Sequence, residues 1–211
     1  MGTTTYDKFK RRYGTEADAE TYRDQRFRRS RRWRKIDQSE QRMVSEFLAR
    51  QRRGSWVLDI PCGTGRLAPL FAAAGVRHSG ADIALPMLKL ARASLGPAAP
   101  LAAADALALP FADGAFDAVI SVRLFHRITE RDGRARMLRE MARVSRGSIL
   151  ATYYLRANLR GLRKMLSGKF AGLSRADLDA DARAAGLRIV RTTPLGRLTE
   201  QQCFVEFAPA G

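Results

Sequence analysis

Two cysteines, Cys62 and Cys203, and two histidines, His78 and His126, are all that this 211-residue chain has of either type. So few residues provide no ligand cluster with zinc spacing and no disulfide framework, so no metal is expected. Long apolar runs are also missing. None approaches the roughly 20 residues needed to cross a bilayer, and the N-terminus lacks the apolar core of a signal peptide. Residue 6 is Tyr rather than Ser or Thr, so Gly2 does not complete a myristoylation pattern. The expectation is a cytoplasmic protein, with peripheral contact to the inner face of a membrane as an option. Acidic residues are scarce, 21 Asp and Glu against 38 Lys and Arg, leaving a net charge of +17. That charge attracts polyanions, so nucleic acid and anionic membrane surfaces are both candidate partners. The excess of arginine and alanine is also what a GC-rich genome produces without selection for binding.

What the chain does have is Val57-Leu58-Asp59-Ile60-Pro61-Cys62-Gly63-Thr64-Gly65-Arg66, an apolar strand running into a turn with two glycines. Gly63 and Gly65 let the backbone turn sharply and approach a ligand closely. Thr64 and Gly65 are expected to open a helix through Ala68, Leu70, Phe71 and Ala74, which would place free backbone N–H groups beside the gap. The pattern predicts a cofactor-binding turn, although an ordinary strand-turn-helix corner shares it. Cys62 reads as a small buried side chain rather than a reactive thiol.

Residues 1–54 read as a basic N-terminal arm and helix, a lid over cofactor or acceptor. The densest basic stretch is Arg26, Arg28, Arg29, Arg31, Arg32, Arg34 and Lys35, and ahead of the predicted helix Tyr6, Phe9, Tyr13, Tyr22 and Phe27 intersperse aromatics with charge. Ile36, Met43, Val44, Phe47 and Leu48 recur at helical spacing and predict a helix over 36–52 that packs on the main body. Residues 55–211 read as one domain. Strands at 56–60, 76–81, 100–104, 116–121 and 147–153 alternate with helices near 65–75, 84–95 and 131–145, which predicts parallel strands joined by crossover helices. A helix over 173–185, capped by Ser174 and ending near Gly186, precedes strands at 187–193 and 202–208. The fold class is therefore α/β: a Rossmann-like doubly wound sheet of seven strands, mostly parallel with an antiparallel C-terminal pair, helices on both faces. A basic amphipathic insertion interrupts it at about 154–171, with Leu155, Leu159, Leu162, Leu166 and Phe170 on one side of a helical projection and Arg156, Arg160, Arg163 and Lys164 beside them.

In an open α/β sheet, ligands lie beyond the carboxyl ends of the strands, where strand order reverses. Asp82, in Gly80-Ala81-Asp82-Ile83, ends the second strand about where nucleotide-binding folds hold a ribose, and a carboxylate there can accept from both ribose hydroxyls. The same position also suits a helix N-cap ahead of Pro86. Further blocks follow: Ala104-Asp105-Ala106-Leu107, Leu109-Pro110-Phe111, and Gly114-Ala115-Phe116-Asp117-Ala118-Val119-Ile120-Ser121.

These ordered blocks, over about residues 55–153, resemble the class I S-adenosylmethionine-dependent methyltransferases. The likeness is greatest to the small-molecule and quinone-biosynthesis-like group called methyltransferase type 11. The resemblance implies S-adenosyl-L-methionine as cofactor and S-adenosyl-L-homocysteine as product. It implies that Asp59, Gly63, Thr64 and Gly65 surround the methionine portion, that Asp82 holds the ribose, and that Ile83 and Met87 pack against the adenine. Asp105 would accept from the adenine amino group and the Ala106 backbone would meet the ring. An N-terminal aromatic, Tyr13 or Tyr22, would lie over the cofactor, with Arg26 able to reach a carboxylate. The turn lacks the third glycine of a dinucleotide fingerprint, so a nicotinamide cofactor fits less well.

The sulfonium methyl is already activated, so the protein mainly has to align a nucleophile and, where required, remove a proton. Candidates lie in Ser121-Val122-Arg123-Leu124-Phe125-His126-Arg127: His126 as a base and Arg123 as an anchor for an anionic acceptor. In similar proteins a histidine here often shapes the pocket instead. The segment lacks the Asn/Asp-Pro-Pro-aromatic block used on exocyclic base amines, and neither cysteine lies in a motif suited to cytosine C5 chemistry. The expected reaction is O- or C-methylation of a small-molecule or membrane-associated acceptor. Two alternatives stand beside it: a non-catalytic methyltransferase-fold module on an anionic membrane surface or partner protein, and an RNA methyltransferase.

Overall fold

The computed structural model describes residues 6, 14–25, 30–155, 172–195 and 202–211, the side chains of 23–25 excepted. The strands are β1 Trp56–Asp59, β2 Arg77–Asp82, β3 Leu101–Ala103, β4 Ala118–Ser121, β5 Ile149–Tyr154, β6 Leu187–Pro194 and β7 Gln202–Pro209. They form one sheet in the order β3-β2-β1-β4-β5-β7-β6. The first five run parallel, and β7 enters antiparallel between β5 and β6. This is the doubly wound architecture expected from the alternation of apolar runs and helical stretches, and each strand boundary lies within two residues of its expected place. Chain order reverses between β1 and β4, so a crevice opens beyond their carboxyl ends.

Side-chain alternation along the strands builds two apolar layers. One contains Val57, Ile120, Leu150 and Phe204, together with Met43, Val44, Phe47 and Leu48 of helix α2 (Arg31–Leu48) and Phe71 of α3 (Ala68–Ala74). The other contains Leu58, Val119, Ile149 and Val205 with Met137, Leu138 and Met141 of α5 (Arg131–Val144) and Leu178 of α6 (Arg175–Ala184). Helix α1 (Glu16–Gln25) meets α4 (Leu85–Leu95) through Ala19 and Tyr22 against Met87.

Two helices begin elsewhere than expected. Helix α2 starts at Arg31 because Ser30, in an extended conformation, accepts a hydrogen bond from the Trp33 N–H; the basic run hides this start from apolar periodicity. Helix α3 starts only at Ala68. Gly63 and Gly65 have φ of 56° and 78°, which a right-handed helix cannot include, so Thr64 and Gly65 belong to the turn and open no helix. The expected insertion beyond Leu155, Tyr13, and Arg26 through Arg29 lie outside the described residues. No helix among the described residues is long and apolar enough to cross a membrane.

Candidate active site

The turn after β1 is held by a carboxylate from β2. Asp82 Oδ2 accepts from the Gly63 N–H at 2.9 Å, and Oδ1 accepts from the Ala84 N–H at 2.9 Å. The Cys62 N–H adds a bond to the Ala81 carbonyl at 2.8 Å. This close approach requires Gly80, since a Cβ there would stand 2.6 Å from Leu101 Cδ2 and 3.0 Å from Cys62 Sγ. Burial pushes the Asp82 carboxyl up to about 6, against the backbone N–H groups of Ala84, Gly63 and Ile83 that favour its ionised form. Because the fold raises this value, the contribution of Asp82 to stability is fully present below the unfolded value of 3.8 and is lost as pH rises through about 6. At neutral pH it is an ionised acceptor whose charge the fold holds at some expense.

Asp82 lines a cavity at the carboxyl ends of β1, β2 and β4, along with Tyr22, Gly63, Thr64, Ile83 and Met87. Val122, Arg123, Arg127 and Arg66 line it as well. Gly65 faces away, against α4, where a Cβ would meet Leu95 Cδ1 at 2.9 Å. Asp59 is fully buried, neither of its carboxylate oxygens has a hydrogen bond, and His78 Nε2 stands 3.6 Å away. Asp105 and Ala106 do not line the cavity. Asp105 Oδ1 instead accepts from the Leu107 N–H at 2.9 Å and from the Tyr6 hydroxyl at 2.7 Å.

The two candidate catalytic residues part company. Arg123 reaches the cavity from a left-handed backbone, φ 67°, steadied by its N–H bond to Thr152 Oγ1 at 2.6 Å. Its Nε lies 2.8 Å from Glu40 Oε1 and 3.0 Å from Oε2, and its guanidinium lies over the Trp33 ring. His126 does not line the cavity. It belongs to the one-turn helix Phe125–Arg127, and its ring stacks on Tyr154 at 4.5 Å between centroids. His126→Ala is therefore expected to lower the unfolding free energy by about 1 kcal/mol through loss of the stack. Binding of S-adenosylhomocysteine should stay within about twofold by calorimetry.

Sequence reasoning missed Glu40, Arg66 and Arg127. Glu40 is fully buried and takes Arg66 Nη2 at 3.1 Å and Gln202 Nε2 at 2.6 Å in addition to Arg123. Arg66 also pairs with Asp37. A signal for Glu40 exists: it lies three, four and seven residues before Met43, Val44 and Phe47, a charge on an otherwise apolar stripe. Neither cysteine suits nucleophilic chemistry. Burial, with Asp59 and Asp82 nearby, pushes the Cys62 thiol far up, and burial pushes Cys203 up to about 12. Among the described residues no group of three or more His, Cys, Asp or Glu could hold a metal ion.

The strand order with β7 reversed, and a site made by the turn after β1 and the acid after β2, define a class I methyltransferase fold. Residues 57–147 match the family described as "Methyltransferase domain". Over 101 residues, 48% of this chain and 21% of the relative, the sequence is 38% identical to "Probable tRNA methyltransferase 9B" of Bos taurus. Over 77 residues, 34% of this chain and 35% of the relative, it is 47% identical to demethylmenaquinone methyltransferase of Thermus thermophilus. These alignments thus span about a fifth to a third of the length of those curated relatives. Among solved structures, magnesium protoporphyrin IX methyltransferase from Synechocystis PCC 6803, with bound S-adenosylhomocysteine, superposes with a TM-score of 0.74 at 20% identity. That match covers 97% of this chain and 99% of the other.

Proposed function

We propose that this protein transfers a methyl group from S-adenosylmethionine to a small-molecule acceptor. The observation that carries the reading is the Asp82 carboxylate, buried at the switch point, bonded to the glycine turn and still facing a cavity. Each carboxylate oxygen accepts one backbone N–H and keeps capacity for a ribose hydroxyl. Asp59, fully buried, without a hydrogen-bond partner and outside the lining of the cavity, would act on the ammonium end of a methionine moiety through water or through its charge. The bound cofactor supplies an electrophilic methyl; the protein aligns an acceptor with it and excludes water. Arg127, which also lines the cavity, favours an acceptor with anionic or strongly polar groups, whereas the charge of Arg123 is paired with Glu40.

The likeness to demethylmenaquinone methyltransferase supports a quinone-like acceptor, and the expected O- or C-methylation suits it. An RNA acceptor is the second reading, favoured by the likeness to the tRNA methyltransferase and the net charge of +17. Incubation with radiolabelled S-adenosylmethionine and fractionated cell extract separates the two. Label in the organic-soluble or small-molecule fraction supports the first reading. Label confined to RNA replaces it with the second, and label nowhere, despite cofactor binding, removes the enzymatic reading. Cofactor binding should also follow Asp82. If only the ionised carboxylate accepts the ribose, affinity for S-adenosylhomocysteine falls about tenfold between pH 7 and pH 5 and levels off above pH 7. Calorimetry across that range checks this.

A further inference from the structure

Tyr6 is 99 residues from Asp105 in sequence, yet its phenolic hydroxyl donates to Asp105 Oδ1 at 2.7 Å. The backbone N–H of Ala106 bonds the same phenolic oxygen. The ring is 4% exposed and belongs to the buried cluster that includes Ile60, Ala104, Ala106, Leu124 and Phe125. Asp82 is near enough for its charge to act on the phenol. Tyr6 therefore sits against the pair of residues that, on the reading proposed above, meets the adenine.

The match is chemical as well as spatial. Asp105 offers an acceptor and Ala106 a backbone donor, side by side. The adenine edge answers them with an amino donor beside a ring-nitrogen acceptor, and a phenol answers both from one oxygen. A planar aromatic ring also satisfies apolar walls that would hold a purine. The cavity lined by Gly63, Asp82, Ile83 and Met87 stops short of Asp105 and Ala106. The part of the site lined by Asp82, Ile83 and Met87 is open, while the polar edge at Asp105, where the adenine amino group would bond, is taken by Tyr6.

We propose that Tyr6 is an internal competitor for the adenine end of the cofactor site, occupying it until the cofactor displaces it and thereby setting cofactor affinity. This rests on the reading of the site as an S-adenosylmethionine site. A site partly closed by its own side chain binds with an apparent affinity reduced by the open fraction, and removing the plug restores the difference. Burial and Asp105 hold the phenol well above its ordinary ionisation range, so it remains a donor at any working pH.

The test is calorimetric titration of S-adenosylhomocysteine into the wild type, Tyr6→Phe and Tyr6→Ala, paired with nitration of the full chain by tetranitromethane and peptide mapping. Tyr6→Ala is expected to tighten binding about fivefold or more, with Tyr6→Phe intermediate because it keeps the ring and loses both hydrogen bonds. In the wild type, Tyr6 should resist nitration without ligand and react when S-adenosylhomocysteine saturates the site. Should Tyr6→Ala fail to fold, the phenylalanine variant and the nitration pattern decide. Unchanged or weaker binding in the variants, or a Tyr6 that stays protected at saturation, overturns the competition while leaving the cofactor site standing. No binding by any of the three proteins overturns both.

Discussion

Replacing Asp82 with alanine is expected to weaken S-adenosylhomocysteine binding by about 100- to 1,000-fold. The estimate takes two charge-assisted hydrogen bonds to ribose hydroxyls at about 1.5–3 kcal/mol each, of which about 3–4 kcal/mol is lost in sum. The same carboxylate also accepts the Gly63 and Ala84 N–H groups, so its loss leaves the glycine turn without the tie that shapes it. Asp82→Asn separates charge from shape. An amide can accept at one atom only, and its NH2 faces one of the two backbone donors, so binding should remain well below wild type. Its pH profile between 5 and 7 should be flat, because the group pushed up to about 6 is gone. Calorimetry on the three proteins checks both points. Wild-type affinity in Asp82→Ala would remove the ribose assignment.

The second large effect is on stability. Glu40→Ala is expected to cost about 3–5 kcal/mol, because it leaves the buried charges that it paired without compensation. Arg123 has a 6% exposed side chain and meets Glu40 through its Nε, while Arg66, 19% exposed, keeps Asp37 as a second partner. Gln202, 5% exposed, loses the acceptor of its amide at 2.6 Å. For a protein of this size the melting temperature should fall by about 6–20 °C, read by differential scanning calorimetry. Glu40→Gln keeps the volume and one acceptor and should fall by less. A melting temperature unchanged in Glu40→Ala would mean that water replaces the carboxylate without loss.

Glu40 joins parts of the chain that local patterns treat separately. Helix α2 precedes the matched methyltransferase segment, yet its one buried carboxylate grips Arg66 just after the glycine turn, Arg123 just after β4, and Gln202 at the start of β7. Two walls of the cavity are thus anchored to an element outside that segment. The roles suggested for Arg123, an anchor for an anionic acceptor, and for His126, a base, divide accordingly. Arg123 is in the cavity but committed to an ion pair, whereas His126 serves a stack with Tyr154.

The strands, and Asp82 as the residue closing β2, were legible because their signals are local. Buried strands at the centre of a parallel sheet read as short apolar runs, and an acid at the end of such a run is conspicuous. The turn was legible for its glycines but misread for its helix, since Gly63 and Gly65 in left-handed geometry delay α3 to Ala68. The start of α2 was hidden because Ser30 and a run of arginines carry no apolar period. Arg66 and Arg127 carried no signal among so many arginines.

The sequence by itself determined the succession of strands and helices, the reversed C-terminal pair and the glycine turn with its acid partner, because periodicity, capping and left-handed glycine act over a few residues. Only the tertiary structure decided which charges meet: Glu40 with Arg66, Arg123 and Gln202 across 26, 83 and 162 residues, and Tyr6 with Asp105 across 99. A buried charge or hydroxyl takes whichever partner the packed layers bring to it, and that choice exists only once the sheet has closed.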